Sequence, residues 1–324
     1  MLEERQVPEN QIEYHISLAE RFEEWVLERR TGAPATADDV RVFAAILVGE
    51  QLNTWDNLAT LVRYGRFVQN NEVYIAGIEL LDGSEALDRL YEKLGQAVGE
   101  QKRDEVFAGI ELPPLGTPSS EKPGITQAIM ERMERLVDAD TCQEILSGGL
   151  RHLEDAWYLD ERAKYAECRD IDEYLDRKGR QFIAQLEQIR DDGGLFFTQP
   201  INDEVIDFVR GHPEIAQGVR DGAVLYEVKI PYMAREYLAE TDERMKRYYY
   251  CHCPWVRESL KEGDVHVSPT FCQCSAGFHK KSWEVVFDRR LEAEIVETVL
   301  KGDPWCKIAI HLPEQALPGA AVAK

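Results

Sequence analysis

From the first helical stretch to Val209 the apolar residues of this chain recur at spacings of three and four, and beyond Gly211-His212-Pro213 they recur at two. The first spacing puts side chains on one face of a helix, the second on one face of a strand. The chain therefore reads as α+β: a helical N-terminal domain, a helix-rich region, and a C-terminal antiparallel α/β module.

In the first part, Ile12, Ile16, Ala19, Phe22 and Val26 give a helix over Pro8 to Arg30 one apolar face, and Thr31-Gly32-Ala33-Pro34 ends it. Thr36 with Asp38 and Asp39 opens a second helix through Val42, Phe43, Ile46 and Leu47, and Asn53 or Thr54 caps a third carrying Leu58, Leu61 and Val62. Val73 to Leu81 fits either a strand or a buried helix turn. Asp82-Gly83-Ser84 separates it from a helix with Leu87, Leu90 and Leu94. The Pro, Gly and Ser stretch from Leu112 to Gly124 reads as a linker. The expected division is thus a domain over 1–111, a linker over 112–124, a second domain over 125–313 and a flexible tail over 314–324.

Beyond the linker, helices are expected over Ile125 to Val137, Cys142 to Leu146, Leu150 to Tyr165 and Ile171 to Ile189, with Asp191-Asp192-Gly193-Gly194 closing the run. Val224, Tyr226, Val228 and Ile230 then alternate as in a strand, and Tyr248 to Cys251 continues the β-type composition. Leu291 to Leu300 and Trp305 to Leu312, joined through Lys301-Gly302-Asp303-Pro304, predict a closing hairpin. Leu291, Ala293 and Ile295 share a face on one strand, and Ile308 and Ile310 share one on the other.

A formal charge of -22 repels phosphate backbones and anionic bilayers, so neither nucleic acid nor a membrane surface is an expected partner. No apolar run approaches a membrane-spanning length, and the charged start lacks the apolar core of a secretory signal, which predicts a cytoplasmic protein. In a reducing compartment seven cysteines, five of them after position 250, point to thiolates or metal ligands rather than disulfides.

Those five are the candidate site. Cys251-His252-Cys253-Pro254 and Phe271-Cys272-Gln273-Cys274 present two pairs, with eighteen residues between Cys253 and Cys272, and Cys306 follows in the hairpin. On a strand, Cys251 and Cys253 would point the same way and could share one ion. The single-residue separation is a weaker zinc signature than CxxC, and an iron–sulfur cluster fits by ligand type although the spacing matches none of the standard ones; zinc is the expected cofactor, with Cys251, Cys253, Cys272, Cys274 and Cys306 as candidate ligands. Glu297, a carboxylate among apolar hairpin residues, is either an exposed edge residue or a further ligand. A helix over Ser275 to Val286 would set Cys272 and Cys274 at its N-terminal end, where the helix dipole favours thiolate, so both are candidate nucleophiles. Cys142 and Cys168, isolated in helical stretches, read as buried apolar residues. His252, His266 and His279 read as surface or supporting residues, and the Tyr248-Tyr249-Tyr250 run with Trp255, Trp283 and Trp305 as core and surface aromatics beside a sheet. A phosphate-cradling glycine loop, a GxSxG elbow, HExxH and a dinucleotide fingerprint are all missing.

The last ~70 residues, about a fifth of the chain, carry Cys251 or Cys253, then Pro269-Thr270-Phe271-Cys272, then Gly302-Asp303-Pro304-Trp305-Cys306 with Ile308 and Ile310. This order resembles the 2-amino-thiazoline-4-carboxylate hydrolase-like family and the related 4-vinyl-reductase-type small-molecule-binding domains. The resemblance implies an α/β fold with a ligand cavity. In the sensor-type relatives it implies zinc held by cysteines and a glutamate, which here would be Cys272 or Cys274, Glu297 and Cys306. The expected function is a small-molecule-handling enzyme, a hydrolase of a heterocycle or amide-like C–N bond; the alternative is a non-catalytic, zinc-containing small-molecule sensor. The expected partner is a small-molecule ligand or substrate, and a homodimer is compatible with these features.

Overall fold

The computed structural model describes residues 9–30, 32–261 and 264–316. The chain forms two compact units, Met1–Ser84 with Glu111–Lys122, and Glu85–Ile110 with Pro123–Lys324.

The first unit holds α1 (Glu9–Arg29), α2 (Ala37–Gly49), α3 (Trp55–Phe67) and α4 (Asn71–Leu81). Local capping sets three of the starts. Thr36 accepts from Asp39 N while the Asp39 side chain accepts from Thr36 N, a reciprocal capping box. Thr54 caps α3 through Asn57 N, and Asn70 caps α4 through Glu72 N and Val73 N. The ambiguous stretch 73–81 is thereby a helix. It lies so close to α3 that a Cβ on Gly65 would stand 2.5 Å from Tyr74 N.

The buried stripe of α1 is not the expected one. Leu18, Phe22 and Val26 are buried, but Ile12 and Ile16 are 42% and 53% exposed, and His15 takes the inward position. Its Nδ1 meets Thr60 Oγ1 at 2.6 Å, so a satisfied polar pair turns the helix where apolar spacing alone predicts otherwise. The Pro-rich stretch packs on this unit. Leu115 lies against the helical core and its carbonyl accepts from Asn53 Nδ2 (2.9 Å), while Thr117 and Lys122 are buried.

The second unit begins with α5 (Ala86–Val98) and α6 (Glu100–Phe107), then α7 (Pro123–Leu136), α8 (Ala139–Ser147), α9 (Leu159–Ala166) and α10 (Ile171–Asp191). In place of one helix over Leu150 to Tyr165 there is a 3-10 turn, Asp155–Tyr158, followed by α9. A two-stranded ribbon of β1 (Leu195–Phe196) and β2 (Gln199–Pro200) precedes α11 (Asp203–Arg210) and α12 (Pro213–Ala216). Next come β3 (Val219–Asp221), β4 (Val224–Val228), α13 (Ala234–Ala239), α14 (Glu243–Tyr250), α15 (Arg257–Lys261), α16 (Gln273–Phe287), β5 (Ala293–Glu297) and β6 (Lys307–His311). The larger sheet is antiparallel in the order β3-β4-β6-β5.

The closing hairpin forms as the spacing predicts. Ile295 pairs with Ile308 and Ala293 with Ile310, and all four are buried, as is Leu291. With Leu225 they make the apolar face on which Ala276, Trp283 and Val286 of α16 and Ile171, Tyr174 and Leu175 of α10 pack. The strand at Val224 forms, but only part of its expected face is inward: Val228 and Ile230 are buried, whereas Val224 and Tyr226 are half-buried and Leu225 and Glu227 are buried between them. Tyr248 to Cys251 is not a strand either. Asp242 caps α14 through Met245 N, and the N–H groups of Tyr232 and Met233 bond the terminal carbonyls of Tyr250 and Tyr249 (3.2 and 2.9 Å), which overrides the β preference of three tyrosines.

Part of the expected tail is ordered. Glu314–Ala316 forms a 3-10 turn with Ala316 in the core, while the expectation for 317–324, like those for Pro8 and Thr31, lies outside the described residues. Among the described residues no helix is long and apolar enough to cross a membrane.

Candidate functional site

The start of α16 is built in two steps. Ser268 caps the short 3-10 helix Pro269–Cys272 through Thr270 N, and the chain then runs straight into α16, with Cys272 at its N-cap and Cys274 in its first turn. The expected helix behind these two cysteines is therefore present. Cys251 follows α14 directly, its N–H bonding Arg247 O, and the carbonyl of Cys253 accepts from the N–H groups of Val256 and Arg257. This pair lies in irregular chain after α14, so strand geometry does not aim its sulfurs. Cys306 leads into β6.

These three segments bring all five C-terminal cysteines together. Thr298 Oγ1 donates to Cys272 Sγ at 3.2 Å and accepts from Cys306 Sγ at 3.7 Å, so one hydroxyl joins two thiols. Cys251 lies within electrostatic reach of Cys253 and Cys306, and Cys274 within reach of Cys253 and Cys306. Cys272, Cys274 and Cys306 are half-buried and keep some accessible surface.

Enclosure governs their protonation. Burial and then the neighbouring Cys253 push the Cys274 thiol up to about 12, against the opposing pull of Lys229 and Arg151. Burial followed by Cys306 drives Cys272 well above the usual thiol range, and burial raises Cys251 and Cys306 as well. With desolvation raising them, the Cys251, Cys272, Cys274 and Cys306 thiols stay protonated near neutral pH.

Lys229, just past β4, is the common cation. Its Nζ bonds Ser275 Oγ (3.3 Å) and lies 4.9 Å from the Phe278 ring centre, and among the described residues no carboxylate reaches it. It acts electrostatically on Cys274, Cys306, His252 and His279. Two residues earlier, the buried Glu227 accepts from Lys178 Nζ (2.9 Å), Trp283 Nε1 (3.0 Å) and His279 Nδ1 (2.8 Å). Burial works against the Glu227 charge, but Lys178 and the His279 contact outweigh it and hold the carboxyl down at about 2. Burial keeps His279 below its ordinary value and therefore neutral, so the charge that ionises Glu227 is the Lys178 ammonium.

The other candidates are placed as follows. Glu297, half-exposed on β5, accepts from Trp305 Nε1 (3.0 Å) and lies 3.8 Å from Lys307 Nζ. Among the described residues no group of three or more His, Cys, Asp or Glu side chains is placed to hold a metal ion. His252 is half-buried with Nε2 on Ile230 O (2.7 Å), and His266 is exposed. Cys142 is buried, as its isolated position predicts, and Cys168 is half-buried against the core. Beside the thiol segments a cleft of about 320 Å³ is lined by residues including Ser259, His266, Pro269 and Leu300. Pro269 opens the turn that ends at Cys272, and Leu300 follows Thr298 by two residues.

Residues 231–317 match the family model DUF6144, a family of unknown function. The matched span contains the five cysteines, Thr298 and His279, while Glu227 and Lys229 precede it. The chain matches no curated protein and no solved structure.

Glu227, Lys229, Lys178 and Thr298 are absent from the sequence-derived site. One signal for Glu227 was available, since it is a carboxylate inside an alternating apolar strand, the same oddity that singles out Glu297.

Proposed function

We propose that the C-terminal unit is a cytoplasmic small-molecule-handling enzyme that turns a thiol of the cluster, Cys274 or Cys272, on an amide-like or heterocyclic C–N bond. The observation that carries this reading is the gathering of five thiols from three chain segments, two of them, Cys274 and Cys306, under the influence of the Lys229 ammonium, which no carboxylate reaches among the described residues. In such a reaction the sulfur bonds to the carbon, the C–N bond breaks, and the thiol proton leaves with the departing nitrogen. Water then takes the acyl group from sulfur and restores the thiol.

Zinc held by the cluster is the second reading, favoured by the mutual closeness of the thiols, because a shared cation would offset their charge once deprotonated. A non-catalytic sensor would use the same thiol cluster. The experiment is a turnover screen of thiazolines and small cyclic amides with protein purified under reducing conditions, alongside elemental analysis. Turnover lost in Cys274→Ser or Cys272→Ser supports the enzyme. Saturable binding without turnover replaces it with the sensor, and equimolar zinc lost in the same variants replaces it with the metal centre.

A further inference from the structure

Two of the five thiols share one atom. Thr298 Oγ1 donates to Cys272 Sγ at 3.2 Å and accepts from Cys306 Sγ at 3.7 Å, so a single oxygen separates the two sulfurs. That oxygen is held from other directions as well. Thr298 N donates to the Asp303 carboxylate at 2.8 Å, and the hydroxyl caps the 3-10 turn Val299–Lys301 through Leu300 N at 3.4 Å.

The fold explains the meeting. Glu297 of β5 pairs with Lys307 of β6, which sets their neighbours Thr298 and Cys306 across the mouth of the closing hairpin. Cys272, at the N-cap of α16, packs against the core of the same sheet. Two thiols far apart in the chain thus stand on either side of one hydroxyl, each half-buried with some surface left to a small reagent. Cys251, within electrostatic reach of both, is buried.

We propose that Cys272 and Cys306 form a redox-sensitive dithiol, which hydrogen peroxide closes into a disulfide and so withdraws Cys272 from the thiol site.

The chemistry needs only the two residues and the peroxide. The thiolate of one residue attacks a peroxide oxygen: an S–O bond forms, the O–O bond breaks, and the departing hydroxide takes up a proton as water. The second sulfur attacks the resulting sulfenic sulfur, the S–S bond forms, the S–O bond breaks, and a second water leaves with the thiol proton. Two thiols have then lost two electrons and two protons, and one peroxide has become two waters. A disulfide forms only between sulfurs that can reach each other from their backbone positions, and these two have one hydroxyl to turn past. The bridge ties the start of α16 to the closing hairpin, and a dithiol reductant reopens it.

This inference rests on the thiol-site reading for its effect on turnover, whereas the bridge is read without turnover. Full-length reduced protein is exposed to hydrogen peroxide at mildly alkaline pH, since thiolate is the reacting form; remaining thiols are alkylated with iodoacetamide, and unreduced peptides are mapped by mass spectrometry. The expected result is a peptide containing Cys272 joined to one containing Cys306, two hydrogens lighter than the separate pair. Alkylation of both residues should fall roughly tenfold or more against the untreated protein and return with dithiothreitol. Cys274→Ser should keep the bridge and Cys306→Ser should abolish it. A bridge from Cys274 to Cys253, oxidation to sulfinic acid without a bridge, or full alkylation at Cys272 and Cys306 overturns the proposal. Should a variant not fold, fragmentation of the wild-type peptides decides alone. Where the reduced protein turns over a substrate, the bridged form should lose that activity, and undiminished turnover with the bridge closed overturns the regulatory role. A protein that closes the bridge but never turns over shows failure of the enzyme reading, with the dithiol upheld.

Discussion

Lys178 of α10 stands 2.9 Å from Glu227 of β4, and this ion pair keeps a carboxylate at a core position of the larger sheet. Removing the cation leaves the charge in place without its compensation, which is more damaging than removing both. Lys178→Met is therefore expected to destabilise the protein by about 3 kcal/mol near neutral pH. Urea titration checks this, and a loss under about 1 kcal/mol would show that solvent, not Lys178, supports the Glu227 charge.

Acid should weaken the fold in two overlapping steps. Burial keeps His279 below its ordinary 6.5, so as pH falls through that value the unfolded chain takes up a proton that the folded chain refuses. Glu227, held at about 2 against an ordinary 4.5, adds stability that is complete above 4.5 and is lost as pH falls towards 2. Both groups bind more protons in the unfolded state, so stability rises with pH across both windows. Denaturant melts between pH 7 and pH 3 should slope accordingly, and Glu227→Gln should flatten the lower part. A flat profile in the wild-type chain would contradict both assignments.

Gly277 lets α16 approach a turn too closely for any side chain. A Cβ there would stand 2.6 Å from Gly149 N and from Ser147 O, both backbone atoms that cannot swing aside. Gly277→Ala is expected to lower stability by roughly 1 to 3 kcal/mol through overpacking. Because Cys274 lies one turn earlier on the same helix, its alkylation rate relative to Cys168 should change as well. Mass spectrometry of labelled peptides reads both sites in one experiment.

In the first unit the α2 capping box gives a local test. Thr36→Ala removes the hydroxyl that accepts from Asp39 N and should reduce stability by about 1 kcal/mol. Circular dichroism melts would show it as a modest shift with the helical signal otherwise intact. An unchanged midpoint would mean that Arg30, 3.3 Å from Asp39, holds the helix start without Thr36.

Much of the helical order could be read in the chain because it follows from caps and spacing that are local. Thr36, Thr54 and Asp191-Asp192-Gly193-Gly194 mark helix ends where the structure has them, and the pairing of Ile295 with Ile308 follows from period-two apolar faces. What escaped were positions where a distant polar partner reverses the local preference. His15 turns inward because Thr60 meets it, and Glu227 because Lys178, Trp283 and His279 do. Three tyrosines become helical because Tyr232 and Met233 close their carbonyls. The cysteine cluster was legible by residue type alone. That Thr298 joins Cys272 to Cys306, and that Lys229 acts on both Cys274 and Cys306, depends on how the hairpin, the start of α16 and the end of β4 meet in the fold.

The strap at Leu115 has a consequence for how the chain comes off the ribosome. The helical unit lacks its cover until residue 122 has emerged, and by then α5 and α6 have been made without α8 and α7, the helices they pack against. Those two helices must wait with apolar side chains such as Leu87, Leu90 and Leu94 unburied while the next segment is synthesised. No single cut in the gene would release both units whole: a stop after Ser84 strips the first of its strap, and a start at Pro123 deprives the second of two helices.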